Sequence, residues 1–341
     1  LSEEVRGGDR TEEDARRVAD TLRIPHHVVD FRALFRRRVI DDFIASYAAG
    51  KTPNPCISCN RYLKFSAMWE KARELDSDFL ATGHYARVLW HSGLERYQLL
   101  KGRDERKDQS YMLYTIEPAL LPHLLLPLGG FTKSKIRDMA AEFGLPVAEK
   151  AESQEICFIP DDDYGRFLRE HCADCLKPGE IVDGVGRVLG RHSGVPLYTV
   201  GQRRGLGIAA PEPLYVTGLN MVKNQVIVGK AEEVFADTLI AQDVNWLTDE
   251  GGKEPRRITA KIRYGHSGAW ATVAPLDAAR GEVRFDILQR AITPGQSVVF
   301  YDGDEVLGGG VIAGRGRVSQ THPMGVDEDG EKSRQGREQG K

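Results

Sequence analysis

Residues 79–85 read FLATGHY, and this stretch sets the fold class of the first half of the chain. A short apolar run that ends at a glycine is typical of a buried strand in a parallel sheet. Apolar residues recur at helical spacing over residues 34–47 and roughly over 61–75, and residues 26–31 read as a further short strand. Helices and strands therefore alternate through the first 160 residues, which predicts an α/β domain built on a parallel sheet.

The second half of the chain has a different pattern, which begins near Lys177. Short β-rich runs separated by glycine and proline predict strands at 179–182, 198–200, 214–216, 225–228, 260–264, 281–285 and 297–301. Such spacing is typical of small sheets or a barrel. Later in the first half, the sequence predicts a hairpin over 85–100 and a helix over 134–143. Residues 319–341 mix charges with glycines, which predicts disorder.

Composition indicates an ordinary globular protein. The 341 residues suffice for two or three domains, and no window of 18 uninterrupted apolar residues marks a membrane span. The 47 basic residues against 50 acidic ones give a net charge of −3, which neither indicates nor excludes a nucleic-acid partner. Five cysteines are an odd number, and the charged first residues hold no secretion signal. The cysteines are therefore interpreted as reduced thiols available for metal or redox chemistry.

Residues 52–61, TPNPCISCNR, hold the strongest chemical signal. Cys56 and Cys59 stand three residues apart just before a predicted helix start, where the helix dipole stabilises a thiolate. The same spacing also fits half of a structural zinc site with Cys172 and Cys175 as the other pair, although the two pairs are too far apart for a compact zinc ribbon. The motif alone leaves metal binding and redox chemistry equally open.

Four further stretches hold chemically active residues, each with a plainer structural interpretation. The Gly-His pair at 83–84 follows a predicted strand, where open α/β sheets bind ligands, but such a pair also makes an ordinary turn. Residues 107–111 (KDQSY) suit contacts to a phosphate or a base edge, or the capped start of a helix. Cys157 stands in a predicted apolar strand, where a buried, inert thiol is the default. The loop 198–207 offers two arginines to a phosphate.

Together these motifs resemble, in the same order, those of the bacterial tRNA-specific 2-thiouridylases, also called tRNA-uridine 2-sulfurtransferases. The resemblance is seen in TPNPCISCNRYLKF, ATGHYAR, KDQSYMLY, SQEICFIP, YTVGQRRGLGI and TPGQSVVFYDGDEVLGGG. It covers about residues 10–318. Six ordered motifs of this length identify the chain as a member of that family.

The resemblance also implies an architecture. The family has an adenine-nucleotide α-hydrolase-like α/β domain with a parallel sheet, then a small central domain and a C-terminal β-barrel. In this chain the three parts are expected at 1–160, 161–229 and 230–318, with a tail at 319–341. This division agrees with the change of pattern near residue 160.

The chemistry that the resemblance implies is ATP-dependent sulfur transfer by an enzyme. The wobble uridine of tRNA, position 34, is adenylated at its C2 oxygen, and that oxygen is then replaced by sulfur from a cysteine persulfide. ATP, with Mg²⁺, is the co-substrate. By resemblance, Cys157 holds the persulfide, Cys59 is the catalytic cysteine that forms a disulfide with it, and Gly83 contacts the nucleotide.

Substrate contacts and partners follow from the same resemblance. The residues expected to lie against the target base or to contact tRNA are Asn54, Pro55, Cys56, His84, Lys107, Asp108, Gln109, Arg263, Tyr264 and Gln296. The tRNAs for Lys, Glu and Gln are the expected substrates, and a cysteine desulfurase or sulfur-relay protein is the expected sulfur donor. A cytoplasmic monomer with no membrane contact and no resident metal is the family default.

Two departures from the family pattern leave alternatives open. The glycine-rich pyrophosphate loop SGGxDS is absent, since residues 7–9 lack the strand before it and the serine after it. The chain therefore looks N-terminally truncated and is expected to bind ATP poorly, which allows a tRNA-binding fragment without catalysis. Many members have Asp where this chain has Cys56. With Cys59 and Cys157 it makes an alternative ligand set for a 4Fe–4S cluster, in which Cys157 carries no persulfide.

Overall fold

The computed structural model describes residues 8–145, 156–248 and 252–316. These residues form two compact units. The first unit holds the described parts of Leu1–Ile44, Pro55–Ala173 and Asp304–Val306, and the second holds those of Ala45–Asn54, Asp174–Gly303 and Leu307–Lys341. Within the described ranges, no helix is both long and apolar enough to cross a membrane. The predicted tail at 319–341 lies outside the described residues.

The helices of the first half follow the predicted periodicity, with one shift. In chain order they are α1 (Gly8–Leu22), α2 (Arg32–Phe35), α3 (Asp41–Ala48), α4 (Pro55–Cys59), α5 (Met68–Glu74), α6 (Lys133–Glu142) and α7 (Tyr164–His171). Two π-helical segments, Arg36–Ile40 and Asn60–Ala67, join α2 to α3 and α4 to α5. The helix predicted from residue 61 begins earlier, at Pro55, because a proline in the first helical position gives up no intrahelical hydrogen bond.

The parallel sheet of the first unit is a short pair of strands. Strand β1 (Leu80–Ala81) runs parallel to β4 (Leu124–Leu125), which confirms the predicted parallel pairing. The apolar run is buried at Leu80 only, since Phe79 is 53% exposed. The strand predicted at 26–31 was wrong: these residues have no strand structure, and no strand of the described chain lies beside them to complete its hydrogen bonds.

A predicted hairpin follows β1 directly and is confirmed. Strands β2 (Ala86–His91) and β3 (Arg96–Lys101) pair antiparallel in the expected register around the turn. Glu305 pairs with Leu100 of β3, and its carboxylate accepts hydrogen bonds from Arg96 at 2.5 Å and from Gln98 at 2.7 Å. The largely buried ion pair holds β3 at its end beside the hairpin turn.

A cluster of phenylalanine rings forms the core on the other side of the first unit. Phe158 lies 5.9 Å from Phe35, 5.3 Å from Phe43 and 5.4 Å from Phe167, measured between ring centroids. The contacts with Phe35 and Phe43 are edge-to-face, the arrangement that aromatic quadrupoles favour. This packing holds the chain segment that contains Cys157 against α2, α3 and α7.

The second unit contains a small mixed sheet. Its strands are β5 (Gly179–Asp183), β6 (Val188–His192), β7 (Tyr215–Asn220) and β8 (Gln225–Gly229), in the order β6-β5-β8-β7. Strands β5 and β8 are parallel, and the other neighbours are antiparallel. The strand predicted at 198–200 was wrong, because these residues follow a short 3₁₀ turn (Val195–Leu197) and have no strand neighbour in the described chain.

The second unit also contains the predicted barrel. Its strands are β9 (Phe235–Trp246), β10 (Arg256–Lys261), β11 (Ala269–Pro275), β12 (Gly281–Arg290), β13 (Ser297–Asp302) and β14 (Glu305–Arg315). They run in the order β13-β10-β11-β12-β9-β14, and pairing of β13 with β14 closes the ring. The interior is filled by buried Ile258, Val283, Phe285 and Phe300, among others. The strand predicted at 260–264 begins and ends several residues earlier than expected.

Candidate active site

Two of the candidate catalytic thiols lie at the start of a long helical segment. Cys56 is the second residue of α4 and Cys59 is its last, so both occupy the first turns of a helical run that continues to Glu74. Ile57 between them is buried and anchors the turn in the core. Cys56 is exposed and Cys59 is partly exposed. The loop predicted at 52–59 is therefore helical over its second half.

The third thiol lies in a different environment from the one predicted. Cys157 lies in a turn and not in a strand, and it is exposed where a buried position was expected. The correction has a simple cause: Phe158 and Ile159 enter the core, and the turn leaves the preceding side chain at the surface. An exposed thiol on an anchored turn is accessible to a reactant.

The structure brings these three thiols into one electrostatic group. Desolvation, followed by the neighbouring thiols of Cys59 and Cys56, raises the pKa of Cys157 to about 11. Desolvation also raises the pKa of Cys56 and of Cys59. Although the surfaces of Cys56 and Cys157 are exposed, protein atoms exclude part of the solvent around the sulfur atoms. All three thiols are therefore protonated at neutral pH.

Lys64 is the cation of this group, and sequence reasoning missed it. Its ammonium lowers the pKa of Cys56, Cys59 and Cys157, which partly offsets the desolvation. Lys64 stands five residues after Cys59, a spacing that puts two residues on different faces of an α-helix. The segment Asn60–Ala67 is π-helical, and its wider turns bring residues five apart closer in direction than an α-helix does. Sequence periodicity of 3.6 residues gives no sign of this alignment.

Gly83 and His84 occupy the turn at the carboxyl end of β1, as predicted. Gly83 is exposed, and a Cβ atom there would meet Leu128 at 3.4 Å. His84 is buried; its Nδ1 lies 2.8 Å from the hydroxyl of Thr82, and its ring lies 5.5 Å from that of Phe65. Desolvation and the charge of Lys64 lower the pKa of His84 to about 4, so the imidazole is neutral at pH 7.

The predicted tRNA-contact stretch at 107–109 is tied into the loop around it. The Asp108 carboxylate is buried and accepts hydrogen bonds from the backbone of Gly102 at 2.9 Å and from Ser110 at 3.0 Å. The Gln109 side chain accepts from the Tyr85 backbone at 2.9 Å. Lys107 remains partly exposed. The plainer interpretation of this motif, a solvated helix start with Asp108 as its cap, was wrong: a short 3₁₀ helix follows at Ser110–Met112, but Gln109 is its N-cap residue and Asp108 is buried.

The remaining predicted contact residues lie in the second unit. Gln296 donates from Nε2 to the Thr52 carbonyl at 2.9 Å, and the Thr52 N–H donates to Pro294 at 2.8 Å. Arg263 donates to the Arg290 carbonyl at 3.1 Å, and Tyr264 is exposed. Asn54, the last residue before α4, is partly exposed.

The double-arginine loop borders a cavity within the second unit. The cavity has a volume of about 640 Å³ and is lined by Arg203 and by residues 205–214. Arg203 and Arg204 are exposed, while Leu206 is buried in the core of the small sheet. The loop is therefore an anchored surface segment.

The described residues contain neither a disulfide nor a metal-binding group. All five cysteines lie in the described ranges, and none of them is joined to another by a disulfide bond. In the described part of the chain, no group of three or more His, Cys, Asp or Glu side chains has an arrangement that could hold a metal ion. In this arrangement Cys56, Cys59 and Cys157 do not form a site for a single metal ion, and Cys172 and Cys175, at the end of α7 and just beyond it, form no zinc site with them.

Comparison with family models defines the class of protein. The model described as "tRNA methyl transferase HUP domain" matches residues 6–161, "tRNA methyl transferase PRC-barrel domain" matches 165–230, and "Aminomethyltransferase beta-barrel domain" matches 236–312. The chain is thus an α/β HUP-domain protein with a PRC-barrel middle domain and a C-terminal β-barrel, the architecture that the sequence implied.

Comparison with curated proteins then gives the family. The "tRNA-specific 2-thiouridylase MnmA" of Carboxydothermus hydrogenoformans is 50% identical over 302 residues, which are 89% of this chain and 83% of the relative. The protein of the same name from Moorella thermoacetica is 52% identical over 300 residues (88% and 84%), and that from Clostridium perfringens is 48% identical over 300 residues (88% and 83%). The chain belongs to the tRNA-specific 2-thiouridylase family.

Proposed function

We propose that this chain is a tRNA-uridine 2-sulfurtransferase that thiolates the wobble uridine, position 34, of tRNA in an ATP-dependent reaction. The observation that supports it best is the group of three thiols, Cys56, Cys59 and Cys157, around Lys64 in the first unit. The names of two matched family models refer to methyl transfer. Three neighbouring thiols suit sulfur transfer, because thiols accept, hold and release sulfur through S–S bonds.

Activation of the uridine comes first in the proposed reaction. The C2 oxygen attacks the α-phosphate of ATP, pyrophosphate leaves, and the oxygen becomes part of an AMP leaving group. Gly83 is the proposed nucleotide contact, since it is exposed at the carboxyl end of β1, where α/β sheets bind ligands. The Mg²⁺ that accompanies ATP belongs to the nucleotide and needs no ligand set from the thiol group.

Sulfur transfer follows, with a balanced exchange of bonds. The terminal sulfur of a Cys157 persulfide attacks C2 and AMP leaves. The Cys59 thiolate then attacks the inner sulfur of Cys157, which releases the transferred sulfur with its electron pair as the C2 thiocarbonyl. A Cys59–Cys157 disulfide remains, and a cellular dithiol reduces it to two thiols. A protein persulfide, delivered by a cysteine desulfurase or sulfur-relay protein, recharges Cys157.

The tRNA contacts of this proposal come from both units. Asn54, Pro55 and Cys56 are proposed to lie against the target base, and the buried neutral His84 lies in the same unit as Cys56. The further proposed contacts are Lys107, Asp108, Gln109, Arg263, Tyr264 and Gln296. We further propose that the protein is a cytoplasmic monomer and that its substrates are the tRNAs for Lys, Glu and Gln. The proposed domain limits are 1–160, 161–229 and 230–318.

A thiolation assay tests the proposal. The chain is incubated anaerobically with unmodified tRNA, ATP and a persulfide source, and the wobble nucleoside is measured by mass spectrometry. Because the sequence SGGxDS is absent from the 341 residues, the chain is assayed as given and fused to the preceding segment of a relative. ATP-dependent 2-thiouridine from either form supports the proposal, and no product from both forms overturns it. A chain that binds tRNA without thiolating it in either form is a binding fragment.

Cysteine variants locate the chemistry within the same assay. Cys59→Ser and Cys157→Ser are expected to lower the thiolation rate about 1,000-fold or more, because each removes a sulfur from the exchange. Cys172→Ser is the matched control and is expected to retain the rate. Full activity of Cys157→Ser would exclude it as the persulfide carrier.

Iron analysis separates the persulfide from the cluster mechanism. In the arrangement described, the three thiols do not fit a metal ion. We therefore expect anaerobically purified protein to contain far less than four irons per chain and no visible charge-transfer absorption. If the wild-type chain contains four irons and Cys56→Ser contains none, the cluster mechanism is supported and the persulfide mechanism is overturned.

A further inference from the structure

Two arginines share one aromatic ring on the surface of the first unit. The guanidinium carbon of Arg38 lies 4.9 Å from the ring centroid of Tyr62, and that of Arg61 lies 5.3 Å from it. Both arginines are exposed and the tyrosine is partly buried. The two charges are therefore within about 10 Å of each other, held by a π-helical segment on each side (Arg36–Ile40 and Asn60–Ala67).

These two cations lack an anionic partner. Among the described residues, neither Arg38 nor Arg61 forms an ion pair, and the neighbouring Arg37 and Lys64 form none either. Other arginines of the first unit do pair with carboxylates: Arg16, Arg17, Arg32, Arg36, Arg87, Arg96 and Arg166. Of the acids close to Arg38 in sequence, Asp41 pairs with Arg36, and Asp42 accepts a hydrogen bond from Ser58 at 3.4 Å.

Part of the uncompensated charge lies on the helical run that also holds Cys56 and Cys59. Arg61 is two residues after Cys59, and Lys64, on the same π-helical segment, acts electrostatically on all three thiols. Like charges held close together repel each other, and an anion between them relieves that repulsion.

The chemistry of the surface favours single-stranded RNA over an acidic peptide. Guanidinium groups bind phosphates with two parallel hydrogen bonds and also stack on flat rings. Arginine with an aromatic side chain is the combination by which proteins hold single-stranded nucleic acid, because it meets both the backbone and the exposed base. An acidic peptide would form ion pairs with the guanidinium groups, but it has no bases to stack on them.

We propose that Arg38, Tyr62 and Arg61 bind the single-stranded phosphate backbone next to the target uridine. This inference rests on the proposed function, because it takes tRNA as the substrate. The surface orients the anticodon loop so that its base reaches the thiol group, and it adds affinity that depends on salt. Tyr62 holds both guanidinium groups in place, so it is a positioning residue.

The test is the salt dependence of RNA binding. An unmodified anticodon stem-loop RNA is titrated with the chain by fluorescence anisotropy at about 50 to 300 mM KCl. For Arg38→Ala/Arg61→Ala we expect Kd to rise about tenfold near physiological salt, and the slope of log Kd against log salt to fall by about 1.4, since each phosphate contact of a single strand contributes about 0.7. Tyr62→Phe should keep the wild-type slope, and Tyr62→Leu should lose part of it.

The matched control is Lys71→Ala, on the same helical run. Lys71 is partly exposed and paired with Glu74 at 2.7 Å, so its loss should leave the salt slope unchanged. Wild-type binding with an equal slope in the double arginine variant would overturn this inference alone. Absence of any RNA binding by the wild-type chain would overturn it together with the proposed function. Thermal unfolding of each variant shows that the surface changes leave the fold intact.

Discussion

At the scale of single residues, the three thiols are protonated, and therefore weakly nucleophilic, at neutral pH. A thiol in water is partly ionised near pH 8, whereas desolvation and its neighbours raise the pKa of Cys157 to about 11. The free protein thus keeps the exposed Cys157 protonated and protects it from unspecific oxidation, because the thiolate is the reactive form. Loading with sulfur or arrival of substrate then has to supply the nucleophile.

Alkylation kinetics test this state of Cys157. At pH 8 we expect iodoacetamide to modify it about 100-fold more slowly than a free cysteine, and the rate to climb about 100-fold from pH 8 to 10, because a raised pKa moves ionisation to higher pH. Peptide mass spectrometry measures the rate at each pH. The guanidinium-unfolded chain is the control and should react like a free cysteine. Equal rates in folded and unfolded protein would contradict the shift.

Lys64 can be tested through its neighbour His84. The lysine lowers the pKa of the imidazole, which desolvation also lowers, to about 4. In Lys64→Met we expect the pKa of His84 to rise, since a nearby positive charge no longer opposes protonation. The pKa values of the thiols should rise in the same variant, because their anions lose a counter-charge. NMR titration of the imidazole C–H signals measures the pKa of His84.

The control for that titration is Lys71→Met, a change on the same helical run. Its ammonium pairs with Glu74, and it does not figure among the causes of the His84 shift. An unchanged His84 midpoint in Lys64→Met would mean that desolvation alone neutralises the imidazole. The sequence predicted His84 as a contact residue, yet burial by Phe65 and the hydrogen-bond distance to Thr82 emerge only from the fold.

At the scale of elements, local signals predicted helices well and isolated strands poorly. The helices over 34–47 and 134–143 follow from apolar periodicity and end near Gly50 and Gly144, which have positive φ. The runs at 26–31 and 198–200 have strand-like composition but no neighbouring strand in the described chain. A strand forms only when another supplies its hydrogen-bond partners, and sequence-local reasoning does not include that partner.

One turn of the second unit depends on a glycine. Gly295 has φ +91°, and a Cβ there would lie 2.7 Å from the Thr52 nitrogen. The adjacent Pro294 and Gln296 both hydrogen-bond the Thr52 backbone. We expect Gly295→Ala to lower the free energy of unfolding by about 1–3 kcal/mol, through backbone strain together with the clash. Denaturant unfolding measures the change.

Gly303→Ala separates the two causes. Gly303 also has positive φ, +58°, but no atom lies within 4 Å of the position of its Cβ. This variant should lose only the backbone component, about 1 kcal/mol. If Gly295→Ala lowers the free energy of unfolding no more than Gly303→Ala does, the segment at Thr52 moves aside without destabilising the fold.

At the scale of the whole molecule, composition and patterning predicted the architecture but concealed the charge distribution. The change of pattern near residue 160 predicted the passage from α/β to β structure, and the strands from Phe235 onward close into the expected barrel. A net charge of −3 gave no sign of a basic surface, because the sum does not show which arginines, such as Arg16, Arg32 and Arg166, are paired with a carboxylate. Only the fold shows which cations stay uncompensated.

Only part of the candidate site could be predicted from the sequence, because the fold brings its other residues together. Cys56 and Cys59 are close in sequence, so their spacing revealed them, whereas Cys157 joins them across about 100 residues through the packing of Phe158. Lys64 and the Arg38–Tyr62 contact depend on helical winding and on packing between helices. Neither leaves a local pattern in the chain.

The π-helical winding of Asn60–Ala67 makes segment length a determinant of reactivity. Each residue in such a segment turns the chain through a smaller angle than in an α-helix, so Lys64 lies closer in direction to Cys59 than the same five-residue spacing in an α-helix would place it. Deleting one codon within the segment, for instance that of Ser66, would restore ordinary winding and swing the lysine away from the sulfur atoms. The deletion would leave Cys56, Cys59, Cys157 and Lys64 in the sequence, and the reactivity of the thiols would still change. Insertion and deletion, more than substitution, would then be the step by which evolution adjusts these thiols.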